Sequence, residues 1–263
     1  MKKSKIKKTL SKYKNIQDSF KYAYVGIPKS IANLEENFFG TFESFLKKYP
    51  NFTDFKKLPI VLYMHGSSGL YTGDVYRKII TKDAKFIFFA PNSFKIKNRP
   101  TYKTALDKPA KEKNYLKVHR LRVAEIYYNL KELKKLPFVD SNNIFLMGNS
   151  EGGLASAIYP HEKFKGRIIT AFSCESSYFY TNFKLGAKKS EPFLNIIGTH
   201  DQFFSKLSLL NSNYNIDGNG IESLKKYKFA KIVILTKTKH DITTNPYVKD
   251  EILSFLKLWR SEE

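Results

Sequence analysis

The sequence predicts an α/β protein built on a mostly parallel, doubly wound sheet with helices on both faces. Three observations carry that expectation. Short apolar runs, too continuous for a sheet with one wet face, recur at 59–64, 84–90, 144–147, 167–173, 192–198 and 230–235. Segments with helical spacing alternate with them through most of the chain. The run Ile144-Phe145-Leu146-Met147 leads straight into Gly148-Asn149-Ser150-Glu151-Gly152, after which Gly153-Leu154-Ala155 reads as the start of a helix. Strand, tight turn with a serine at its apex, helix: a sheet of this class uses that sequence of elements to present a nucleophile.

Size and composition agree with one folded domain. The chain has 263 residues, enough for a single α/β core. Hydrophobic residues at 42% and aromatics at 15% exclude a disordered chain. No window reaches the run of about 18 apolar residues that a membrane span needs. Seven lysines and no acid lie between Met1 and Lys14, and no apolar segment follows them, which argues against a secretory signal. The lone cysteine, Cys174, cannot form an intramolecular disulfide and suits a reducing, cytoplasmic setting.

The net charge of +22 raises the question of an anionic partner. Forty of the 46 basic residues are lysine and six are arginine. Arginine is the better residue for bidentate phosphate and base contacts, so a solvated lysine surface is expected and a specific nucleic-acid site is not. The N-terminal lysines allow a weak peripheral membrane contact.

Taken in order, residues 1–18 read as a mobile basic leader ahead of one domain, 19–263. Phe20–Gly26 reads as an edge strand. Ile31–Lys48 has helical spacing, with Leu34, Phe38, Phe42, Phe45 and Leu46 on one face, and Pro50 limits it. Pro59–Met64 is a buried strand, followed by His65-Gly66-Ser67-Ser68-Gly69. Ala84–Ala90 is a second buried strand, ended by Pro91. Asn92–Asn114 is polar and holds Pro100 and Pro109; it reads as an irregular excursion and a candidate lid, 92–114. Its lysines, with Arg99, raise a preference for acidic substrates. Tyr115–Leu136 reads as a long helix with Leu116, Val123, Tyr127 and Leu130 inward. After the serine turn come strands at Arg167–Ser173, Pro192–Gly198 and Ala230–Leu235, and Tyr247–Trp259 closes the chain as an amphipathic helix.

The candidate chemistry falls in loops that follow strands, where open α/β sheets bind ligands. A serine hydroxyl needs a base, an orienting acid and donors for an oxyanion. Ser150 is the candidate nucleophile. Of the five histidines, His240 follows the strand Ala230–Leu235 in a short loop and is the candidate base. His119 lies within a helix, His161 is not at a strand end, and His200 adjoins the candidate acid. That acid is Asp201, which follows the strand in Ile196-Ile197-Gly198-Thr199-His200-Asp201. Glu175, just beyond another strand, is the alternative acid; an aspartate at the position of Asp201 can also simply cap its turn. The backbone N–H groups of Glu151 and Ser67 are the candidate oxyanion donors, with Gly66 next. Tyr71, Tyr178, Phe179 and Tyr180 are candidates for a pocket wall.

With these residues in chain order Ser150, Asp201, His240, the chain resembles the α/β-hydrolases, and among them the dienelactone hydrolase-like group. The resemblance spans roughly residues 57–260. It rests on Leu62-Tyr63-Met64-His65-Gly66, Gly148-Asn149-Ser150-Glu151-Gly152-Gly153, Gly198-Thr199-His200-Asp201 and His240. It implies an eight-stranded, mostly parallel sheet, a nucleophile–Asp–His triad, and no metal or organic cofactor. Dienelactone hydrolases use cysteine as nucleophile; here that position is Ser150 and Cys174 lies elsewhere. A serine hydrolase acting on an ester, thioester or amide of a small acyl substrate is therefore expected. Two alternatives stand beside it: a small serine peptidase of prolyl-oligopeptidase type, and an inactive hydrolase scaffold acting as a basic binding protein.

Overall fold

The computed structural model describes residues 1–52, 54–102 and 108–261. Eight strands form one sheet: β1 (Tyr24–Ile27), β2 (Phe38–Thr41), β3 (Leu58–Met64), β4 (Ile87–Ala90), β5 (Val139–Asn149), β6 (Gly166–Thr170), β7 (Phe193–Gly198) and β8 (Ala230–Leu235). Their order is β2-β1-β4-β3-β5-β6-β7-β8. β1 runs antiparallel to both β2 and β4, while β4 through β8 pair in parallel. The helices are α1 (Lys3–Lys12), α2 (Gln17–Lys21), α3 (Phe42–Lys48), α4 (Gly73–Lys78), α5 (Lys108–Leu133), α6 (Glu151–Ile158), α7 (Ile221–Leu224) and α8 (Pro246–Trp259).

Side-chain alternation along the central strands builds two cores. Ile60, Leu62 and Met64 of β3 face one side with Ile144 and Leu146 of β5, against Phe42 and Phe45 of α3, Val123 and Leu130 of α5 and Ala155 of α6. Val61 and Tyr63, with Phe145 and Met147, face the other side against Tyr76 of α4 and Val248, Ile252 and Phe255 of α8. Both faces of the sheet are therefore covered, which is why these strands read as unbroken apolar runs. The parallel strands put Met64, Asn149, Thr170, Gly198 and Leu235 at one edge. Every candidate site residue follows one of those ends.

Several expected elements differ. The helix expected over Ile31–Lys48 exists only as α3; Phe38–Thr41 before it is β2, paired to β1. Thr41 divides the two, because its hydroxyl accepts the Ser44 N–H at 3.2 Å and the Ser44 hydroxyl accepts the Thr41 N–H at 3.0 Å. That reciprocal cap starts a helix where helical periodicity had run on without a break. The expected edge strand at Phe20–Gly26 shifts to Tyr24–Ile27 and lies one place in from the edge, since β2 covers it. The strand expected from Ala84 begins at Ile87, after Lys85 takes φ +61°.

Residues 1–18, expected as a mobile leader, instead contribute α1, which packs on α5 with Ile6 fully buried. Ile6 and the partly buried Leu10, four residues apart among the lysines, anchor that helix, a signal the charge count obscures. Of the expected lid 92–114, residues 92–102 run beside the site, 103–107 lie outside the described residues, and 108–114 belong to α5. The long helix thus starts seven residues before the expected Tyr115. Leu116, expected inward, is 41% exposed, whereas Val123 and Leu130 are buried.

Candidate active site

The turn after β5 holds Ser150 at φ +54° and ψ −115°. A residue with a Cβ pays for that conformation, and the surroundings fix it. The Ser150 N–H donates to Thr170 O at 3.0 Å, and its carbonyl accepts the Leu154 N–H of α6 at 3.0 Å. The two glycines of the motif are required by close approach. A Cβ on Gly148 would lie 2.2 Å from Gly152 O, and one on Gly152 would lie 1.9 Å from Met64 O. The turn is thereby wedged between β5 and the end of β3.

Ser150 Oγ lies 3.0 Å from His240 Nε2, and His240 Nδ1 lies 2.7 Å from Asp201 Oδ2. Asp201 is fully buried. Its other oxygen accepts the Phe203 N–H at 2.8 Å and the Phe204 N–H at 3.0 Å. The carboxylate therefore caps its own turn and holds the imidazole at once. With both oxygens engaged, Asp201 keeps one orientation, and so does the ring. The main-chain N–H of His240 donates to Gln202 Oε1 at 3.3 Å. Phe203 and Phe204 pack on the imidazole, with ring centroids at 4.7 and 5.8 Å. They were not singled out in the sequence, although their place two and three residues beyond the strand-end acid was a usable signal.

Glu175, the alternative acid, is directed elsewhere. Its carboxylate accepts the N–H groups of Gly218 at 2.8 Å and Gly220 at 3.0 Å. Burial raises its pKa and these hydrogen bonds oppose the rise. The other histidines are likewise engaged apart from Ser150. His119 Nε2 donates to Phe179 O, His161 Nε2 donates to Met1 O, and His200 Nδ1 shares a hydrogen bond with Thr199 Oγ1. His65 is buried; its Nδ1 meets Gly66 O at 2.7 Å and its Nε2 accepts the Ser93 N–H at 3.2 Å. Burial and the adjacent Arg122 push its pKa well down, so it is a neutral strut in this turn.

Gly66, after β3, abuts the serine: a Cβ built on it would meet Ser150 Cβ at 3.5 Å. Gly69 N–H closes a turn onto Gly66 O at 3.2 Å, and Ser67 sits at its tip. On the other side of Ser150, Glu151 is the first residue of α6. The N–H groups of a first helical turn have no partner within the helix, and they sit at the positive end of its dipole.

The Glu151 side chain turns away from the opening. It joins a buried cluster that the sequence reading missed. Arg99 Nη2 donates to its Oε1 at 2.7 Å, Arg122 Nε lies 3.3 Å from the same oxygen, and the Tyr102 hydroxyl donates to Oε2. Arg122 also pairs with Glu125 at 2.6 Å and donates to His65 O at 2.8 Å. Arg99, counted among the lid cations, is thus neutralised inside the protein rather than presented to substrate.

A cavity of about 390 Å³ opens over Ser150 and His240. Tyr71, Tyr102, Tyr115, Tyr178, Phe179 and Phe203 are among its walls. Three of the four expected wall residues are there; Tyr180 faces a different cavity. Among the described residues no lysine or arginine lines it, so the expected cationic environment for acidic substrates is absent from those walls. Among the described residues no group of three or more His, Cys, Asp or Glu side chains is arranged to hold a metal ion. Nor, among them, is any helix long and apolar enough to cross a membrane.

No protein-family model matches the chain, and no curated protein matches its sequence. Solved structures do match its shape. Est1E from Butyrivibrio proteoclasticus is 14% identical, with a TM-score of 0.53 over 90% of this chain and 93% of that one. A candidate dienelactone hydrolase from Klebsiella pneumoniae subsp. pneumoniae is 15% identical, with a TM-score of 0.51 over 78% of this chain and 87% of that one. Dipeptidyl peptidase 4 from Porphyromonas gingivalis is 16% identical, with a TM-score of 0.52 over 78% of this chain; the match covers 32% of that larger protein. Sheet order and these likenesses together establish the α/β-hydrolase fold.

Proposed function

We propose that this chain, built on the α/β-hydrolase fold, is a serine hydrolase that cleaves a small ester through an acyl-enzyme intermediate. The observation that carries the reading is the continuous chain Ser150 Oγ–His240 Nε2–Asp201, at 3.0 and 2.7 Å. His240 takes the Ser150 proton as Oγ adds to the ester carbonyl carbon. Asp201 stabilises the resulting imidazolium and fixes the tautomer that leaves Nε2 free as the base. The carbonyl electron pair moves onto oxygen, and the N–H groups of Glu151 and Ser67 receive the anion. His240 then gives its proton to the departing alkoxide as the C–O bond breaks. Water, deprotonated by the same imidazole, attacks the acyl-serine and releases the acid. Thioester and amide substrates follow the same path with a different leaving group.

The cavity supports a small, largely uncharged acyl group flanked by aromatic rings. Parallel turnover of short acyl p-nitrophenyl esters and of aminoacyl anilides tests the reading. Ester turnover that disappears in Ser150→Ala is expected. Faster turnover of the anilides favours the peptidase reading. Turnover of neither, with salt-sensitive anion binding unaffected by Ser150→Ala, favours the inactive scaffold.

A further inference from the structure

A second cavity lies on the opposite side of the 177–180 turn, between α1, α5 and the segment that follows α6. At about 640 Å³ it is larger than the cavity over Ser150. Its wall is divided by chemistry. Leu116, Val123 and Ile158 are apolar lining residues, whereas Lys5, Arg120 and Lys184 are among its cations, and among the described residues no aspartate or glutamate lines it. The cleft continues into a hollow of about 290 Å³ that shares Lys5 and Arg120 and adds Lys8, Lys12 and Lys117. Among the described residues none of these six cations makes an ion pair, although lysines and arginines elsewhere do. Like charges gathered in one cleft repel one another, and a bound anion removes that cost.

His119 supplies a separate observation. It is 2% exposed and lines this cavity, and its Nε2 is taken by Phe179 O at 3.1 Å. Its Nδ1 is buried without a hydrogen-bond partner. A buried polar atom left unmatched costs about 1–3 kcal/mol.

We propose that this cleft binds a single-chain amphiphile with an anionic phosphate or carboxylate head, its tail on Leu116, Val123 and Ile158 and its head between Lys5, Arg120 and Lys184. A bare polyanion satisfies the cations and leaves the apolar wall wet. A neutral lipid does the reverse. Only a molecule carrying both parts answers both walls. The proposal is independent of the chemistry at Ser150.

Calorimetric titration of the full chain with decyl phosphate, decanoate, decanol and inorganic phosphate tests it, each amphiphile kept below its micelle concentration. One saturable site for decyl phosphate or decanoate is expected, at least about tenfold tighter than for inorganic phosphate or decanol. The tighter of the two anions identifies the head. The double variant Lys5→Glu/Arg120→Glu, both exposed positions, is expected to weaken it by about tenfold or more, with Tyr71→Ala in the catalytic cavity leaving it unchanged. Should the double variant fail to fold by circular dichroism, Lys184→Glu replaces it with the same expectation. Equal affinity for inorganic phosphate and decyl phosphate, weakening by Tyr71→Ala alone, or adsorption to phosphatidylserine vesicles without monomer binding would each overturn the proposal.

Discussion

Glu151, the residue after Ser150, buries its carboxylate 2.7 Å from the Arg99 guanidinium. The two come from segments 52 residues apart, and each side chain is at most 6% exposed. Arg99 follows β4 and Glu151 begins α6, so the pair ties the strand-end segment to the serine turn. Replacing Glu151 by Gln leaves Arg99 and Arg122 sharing less counter-charge inside the protein. Removing one partner of a buried ion pair costs about 3–5 kcal/mol, and Arg122 retains Glu125, so the lower end applies. Urea unfolding of Glu151→Gln should show a loss of about 3 kcal/mol.

The choice of acid separates by two variants. Asp201→Asn removes the charge that stabilises the imidazolium and favours the wrong tautomer. A fall in kcat of about 10⁴-fold is expected with KM little changed. Glu175→Gln weakens the hold on the Gly218 and Gly220 N–H groups. It should lower stability by about 2 kcal/mol and leave kcat intact. Steady-state kinetics and thermal melts on both proteins check the pair of outcomes.

Gly152→Ala puts a methyl group where Met64 O already lies, at 1.9 Å. A main-chain carbonyl in β3 cannot swing aside as a side chain can. The strand or the serine turn must move, at a cost of about 3 kcal/mol. Because that shift displaces Ser150 from His240, ester turnover should fall more steeply than the folded fraction. Activity per folded molecule, with folding read by circular dichroism, measures the difference.

Acid should destabilise the fold through His119. Burial lowers its pKa from 6.5 to about 4. The unfolded chain then takes up this proton at a higher pH than the folded one. The contribution is fully present above pH 6.5 and is lost as the pH falls towards 4, about 3 kcal/mol in all. His65 shifts in the same direction. His119→Gln keeps a donor for Phe179 O and carries no titratable group. Its unfolding free energy should fall less than the wild type's between pH 6.5 and 4.

The sheet was legible because its central strands are buried on both faces and so stand out as apolar runs bounded by Gly and Pro. The serine turn was legible for a stricter reason: Gly148 and Gly152 are forced by backbone contacts, so the pattern reports geometry. The positions of Asp201 and His240 followed from strand ends that all meet one edge. What stayed hidden depended on distant partners. Nothing local marks Phe38–Thr41 as a strand until β1 lies beside it. Ile6 and Leu10 among so many lysines did not announce a docked helix. Arg99 read as a surface cation because Glu151, which neutralises it, is far away in sequence. Both acids followed strand ends; only the fold turned Glu175 towards Gly218 and Asp201 towards His240.

The proposed reaction depends on Ser150 acting as a nucleophile activated by His240. Intact-mass spectrometry after treatment with a fluorophosphonate tests it most directly. One adduct per chain is expected, mapped to Ser150, absent from Ser150→Ala and formed far more slowly in His240→Gln. An adduct that persists in Ser150→Ala, or a wild-type protein that stays unlabelled while folded, would contradict it.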